Sequence, residues 1–113
     1  MSFPERMTLQ GIVRRQADFS RRAFGPGKRT NGIIAHIQEE CEEVVESGHD
    51  IRECVDVLIL ALDLCWRSGA NPDDVEKELL AKMEKNEFRS WPPAGSVSQD
   101  EKINHNRTER DIL

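Results

Sequence analysis

Two pairs of carboxylates, Glu40-x-x-Glu43 and Glu53-x-x-Asp56, stand ten residues apart in the chain. At about 100° per residue, an i, i+3 pair lies on one face of an α-helix. His36, Glu40 and Glu43 then share a stripe, with Glu39 at its edge, and Glu53, Asp56, Leu60, Asp63 and Arg67 share a second. Asp56 and Asp63 are set in an otherwise apolar segment that also holds Val55, Val57, Leu58, Ile59 and Leu62. Clustered carboxylates repel and cannot all stay ionised without a counter-charge. A divalent cation supplies one, and an all-oxygen ligand set favours Mg²⁺, Mn²⁺ or Ca²⁺ over zinc. Two such helices packed antiparallel would bring four carboxylates to one point. The plainer alternatives are a solvated acidic face for Glu39 to Glu46, and a capping-box role for Glu53. A di-iron bundle needs a Glu-x-x-His motif on each of two helices. The single match, Glu46-x-x-His49, runs into Gly48.

The elements that must position these groups are four helices. The first is predicted from about residue 8 to residue 23, with Leu9, Ile12, Val13, Gln16, Phe19 and Ala23 at helical spacing, and it stops at Phe24-Gly-Pro-Gly27. The second runs from about residue 31 to 47 and ends at Ser47-Gly48. The third starts at Asp50, with Glu53 completing a capping box, and ends at Ser68-Gly69. Being apolar nearly all round, it is expected to be buried, with one face on another subunit. The fourth has Asn71 as cap, Pro72 at its first position, Asp73 and Asp74 in its first turn, and continues to about Phe88. Short links imply an all-α four-helix bundle over residues 1–93, followed by an irregular tail over 94–113.

With 113 residues the chain has the size of one domain. A net charge of −5 argues against a nucleic-acid or anionic-membrane binder. The three cysteines, Cys41, Cys54 and Cys65, are widely spaced and read as reduced thiols. No apolar run is long enough to span a bilayer, and the first residues carry no apolar signal segment. The expectation is a cytoplasmic homo-oligomer, a dimer or tetramer.

An acidic protein that takes an anionic substrate needs local cations. Lys82, Asn86 and Arg89 fall within one stripe of the fourth helix, and Lys28 and Arg29 precede the second. Dipole compensation is the alternative for Lys85. Trp66 and Trp91 could stack on a base, although packing is the commoner fate of such residues. His49 sits at a helix stop with no chemical task.

Several ordered motifs carry a family resemblance. They are Phe24-Gly-Pro-Gly, His36-Ile-Gln-Glu-Glu-Cys-Glu-Glu43, Glu53-Cys-Val-Asp56, Trp66-Arg-Ser-Gly69, Lys82-Met-Glu-Lys-Asn86 and Arg89-Ser-Trp-Pro92. The chain resembles the MazG-like all-α nucleoside triphosphate pyrophosphohydrolases. It is most similar to their small, often phage-borne branch of dATP/dGTP pyrophosphohydrolases, from about Phe19 to Pro92. Ile103-Asn-His105-Asn-Arg107 looks like that branch's closing motif.

The resemblance implies Mg²⁺-dependent release of pyrophosphate from dGTP or dATP, with Mn²⁺ as a substitute, in a bacterial or phage-infected cytosol. It implies Glu40, Glu43, Glu53 and Asp56 as metal ligands, and Glu39 as a further ligand or the base that orients water. It implies Lys82 and Asn86 as phosphate contacts, with Arg89 beside them. His36, Lys28, Arg29, His105 and Arg107 join as candidate substrate contacts, the last two through a tail that closes over the nucleotide. Asp63, two turns beyond Asp56, is a candidate to accept from guanine's N1–H and amino group, and an ion pair with Arg67 is its alternative role. A catalytically inactive helical module that binds metal or nucleotide is the competing class.

Overall fold

The structure, a computed structural model, describes residues 7–69 and 71–107. The first six residues, which include the expected start without a signal segment, lie outside the described residues, and so does the end of the expected tail, 108–113. The described chain is all-helical, with α1 (Leu9–Phe24), α2 (Thr30–Glu46), α3 (Ile51–Arg67) and α4 (Pro72–Phe88).

Local chemistry sets each boundary. Thr8 caps α1, its hydroxyl accepting from the Gly11 N–H at 3.0 Å. Gly25, at φ 85°, ends α1 in a backbone region that a side chain would strain. Asp50 caps α3 by accepting from the Arg52 N–H at 2.8 Å. The capping box expected there is absent: the Asp50 N–H donates to Ser47 Oγ at 3.1 Å instead, which leaves Glu53 out of the cap. A reciprocal cap forms at α4, where Asn71 Oδ1 accepts from the Asp73 N–H and Asp74 Oδ2 accepts from the Asn71 N–H.

The chain divides into two compact units, one up to Glu78 and one from Leu79, so the division falls inside α4 and the boundary expected at 93/94 lies within the second unit. In the first unit α3 packs against α1 and α2, and the four-residue link Ser47–Asp50 makes α2 and α3 a helical hairpin. The apolar core is Val13, Ala17, Leu62, Trp66 and Val75, with Leu9 against it. Val75 is the one α4 residue buried among the described residues, so the start of α4 joins the other three helices in the core.

Within the single chain one face of α3 stays open, the face expected to lie on another subunit. Ile51, Val55, Leu58 and Ile59 are exposed, because two neighbouring helices cover only part of its circumference. Asp56 is exposed with them.

Buried polar groups tie α1 to the end of α3. Asp63 and Arg67 are both almost fully buried and form an ion pair at 3.6 Å. Arg67 donates to the carbonyls of Gly25 and Gly27, each at 2.9 Å, and to Ser20. A paired charge whose terminal N–H groups donate to carbonyls and a hydroxyl is the arrangement burial favours.

In the second unit, the chain after α4 is irregular but pinned. The Asn106 N–H donates to the Ser90 carbonyl at 2.7 Å, and Asn106 Nδ2 donates to Ser90 Oγ. Trp91 Nε1 donates to the Asn86 carbonyl, and the Trp91 and His105 rings meet edge to face at 5.7 Å. Leu79, Leu80, Met83 and Phe88 of α4 are exposed.

Candidate active site

The α2–α3 hairpin brings the paired carboxylates together. One oxygen each of Glu40, Glu43 and Glu53 lies within 4.8 Å of the others. Glu40 and Glu43 sit one turn apart on α2, and Glu53 faces them from the first turn of α3. The freeing of Glu53 from the cap allows this. Asp56 is one turn further along α3, close enough to act on the charge of Glu53.

The cost of this crowding is visible in proton affinity. The Glu43 carboxyl is raised above its ordinary range, first by sharing a hydrogen bond with Glu40 and then by Glu40's charge. Glu53 is raised by desolvation, followed by the charges of Glu43 and Asp56. Glu40 is largely shielded. His36 Nε2 lies 3.2 Å from its Oε1, while its buried Oε2 has no hydrogen-bond partner among the described residues. A shielded, unpartnered carboxylate oxygen beside two proton-hungry carboxylates fits a hard divalent cation.

Glu40 and Asp56 also line a cavity of about 280 Å³ between the three helices of the first unit. Arg29, Gly32 and His36 line it from the start of α2, and Gln16, Phe19 and Phe24 from α1. Arg29 sits at φ 47°, in the left-handed region, and its guanidinium lies over the Phe24 ring at 5.2 Å. The cavity thus has carboxylates, a cation and aromatic rings on its walls.

Other residues singled out in the sequence are placed differently. Glu39 is exposed next to the cluster and adds to the repulsion on Glu43. Lys28 is exposed in the loop before α2. Asp63 reaches the cavity wall, but it is 3% exposed and accepts from Ser20 Oγ, Gln16 Nε2 and Trp66 Nε1 besides pairing with Arg67. Of the two roles weighed for it, the geometry matches the ion pair and leaves no acceptor for guanine. Trp66 belongs to the core.

Within the second unit, Lys82 is exposed on α4, and Asn86 Oδ1 accepts from Arg89 at 3.0 Å. His105 is held against Trp91, and Arg107 is exposed. Among the cavity residues that sequence reasoning left without a site role are Gln16, Phe19 and Phe24. A polar Gln16 inside an apolar stripe was their one available signal.

The fold and the site define a class: all-α proteins whose helical hairpin gathers carboxylates beside a small-molecule cavity. The chain belongs to the dATP/dGTP pyrophosphohydrolase family, whose model it matches over residues 12–110, and it is a nucleoside triphosphate pyrophosphohydrolase. It is 44% identical over 73 residues to the dATP/dGTP diphosphohydrolase of Cyanophage S-2L, an alignment covering 63% of this chain and 67% of that protein. No solved structure matches it. Among the described residues, no helix is long and apolar enough to cross a membrane.

Proposed function

We propose that the enzyme hydrolyses dATP, dGTP or both to the nucleoside monophosphate and pyrophosphate, with Mg²⁺ held by Glu40, Glu43, Glu53 and Asp56. The observation that carries this reading is the meeting of three carboxylates within 4.8 Å, one with a shielded oxygen lacking a partner. When bound, the cation would neutralise triphosphate charge and make water more acidic. The protein's part is to orient and exclude. His36 holds one oxygen of Glu40 in place. Glu39 stands at the cluster's edge to take a proton or hold water. Arg29, on the cavity wall, meets a phosphate oxygen, and Lys28 adds charge beside it. The family resemblance supports Lys82 and Asn86 as candidate phosphate contacts, with Arg89, His105 and Arg107 as candidate nucleotide contacts.

The enzyme acts in this reading as a cytoplasmic homo-oligomer. The apolar residues Ile12, Val55 and Leu58, exposed along α1 and α3, support assembly.

The test is pyrophosphate release from each of the common (d)NTPs with and without Mg²⁺. Release from dATP or dGTP that needs the cation, and its loss in Glu43→Gln and Asp56→Asn with the fold intact, is the expected result. Full activity of Asp56→Asn would remove that residue from the metal site.

A further inference from the structure

The cavity beside the carboxylates has a second wall that metal and phosphate binding do not use. Phe19 and Phe24, both on α1, are 51% and 55% exposed, far more than phenylalanines that serve a core. Their rings stand at 89° with centroids 6.1 Å apart, so they form a corner rather than a stack. Both line the cavity that Glu40 and Asp56 also line, and so does Gln16, one turn before Phe19.

Among the described residues Gln16 is the only amide side chain on that wall, and its orientation is set. Its Nε2 donates to Asp63 Oδ1 at 3.2 Å, and a carboxylate can only accept, so the NH₂ side must face Asp63. Asp63 is itself locked by Ser20, Trp66 and Arg67. Gln16 is left with one carbonyl acceptor and one N–H donor.

We propose that Phe19, Phe24 and Gln16 form the purine subsite, with Asp63 as the residue that positions the Gln16 amide. This rests on the pyrophosphohydrolase reading above, since the carboxylate end of the cavity fixes where the phosphates lie. An exposed aromatic corner offers a face for a base to stack on. A primary amide pairs with any base edge that places one donor next to one acceptor. Adenine's edge does so with its 6-amino group and N1, and guanine's with N1–H and O6. The two purines present the pair in opposite order, so an amide whose orientation Asp63 fixes matches one of them in a given pose and the other only with the base turned over.

The test is equilibrium binding of dATP, dGTP and inorganic tripolyphosphate in Ca²⁺ to wild type, Phe19→Ala, Phe24→Ala and Gln16→Met, each with its melting temperature. The expected result is roughly tenfold weaker binding of both nucleotides by each aromatic variant, the size of one lost stacking contact. Gln16→Met weakens one purine nucleotide more than the other. Tripolyphosphate affinity and melting temperature stay as in wild type. Nucleotide affinities unchanged in all three variants, or tripolyphosphate weakened in parallel, would overturn the subsite. Wild type that binds the nucleotides yet releases no pyrophosphate in Mg²⁺ would overturn the reaction and leave the subsite standing.

Discussion

Glu43 and Glu53 hold protons more tightly in the folded chain than as free carboxylates. A raised acid favours the fold below its ordinary range and loses that contribution as pH rises through its raised value. Asp50 and Asp73, lowered by Arg52 and Arg14, act in the opposite sense and lose their contribution as pH falls. Glu43→Gln should therefore melt at a higher temperature than wild type in metal-free buffer at about pH 7, with the gap closing toward about pH 4. Saturating Mg²⁺ should raise the wild-type melting temperature more than the variant's, because binding to the native state alone stabilises it. Calorimetric melts at two pH values check both. Asp63→Ala should be far more damaging, costing about 3–5 kcal/mol by leaving Arg67 buried without its partner, and denaturant unfolding measures it. The cluster residues were legible in the sequence because i, i+3 spacing fixes a helix face. The task of Asp63 was only half legible, since two of its four partners, Gln16 and Ser20, come from α1, which periodicity on α3 does not report.

At the scale of elements, helix ends were the most readable feature. The caps Asp50 and Asn71 and the stops at Gly25, Gly48 and Gly69 placed helix ends to within a residue or so, because they answer local backbone needs that sequence spells out. Thr8→Ala removes the cap of α1 and should cost about 1 kcal/mol, read as a lower denaturant midpoint with an unchanged slope. The surroundings of α3 were legible only in outline. An all-round apolar sequence says that burial is favourable, and it does not say which residues form the face left to another surface. Ile51, Val55, Leu58 and Ile59 lie open because α1 and α2 reach only two sides of the helix. The exposure of Phe19 has a different origin, since it lines the cavity wall.

For the whole molecule, those open apolar surfaces bear on assembly and on the tail. Leu58→Glu puts a charge on the exposed face of α3, and light scattering should show a smaller species than wild type at equal concentration. If wild type already scatters as a single chain, the proposed assembly is wrong. Truncation after Pro93 deletes Asn106 and His105, the partners of Ser90 and Trp91. It should lower turnover more than it lowers the melting temperature, and steady-state kinetics beside a melt separates the two. One buried group also sets an order of events. The carbonyls of Gly25 and Gly27 find their donor in Arg67, 42 and 40 residues further along the chain. Such distant pairings close late, because the loop entropy must be met before the contact repays it. The segment between Phe24 and Arg29 can therefore take its final shape only after α3 has docked. In refolding, helical circular dichroism should recover ahead of nucleotide binding, so that the chain passes through a helical state that does not yet bind its substrate.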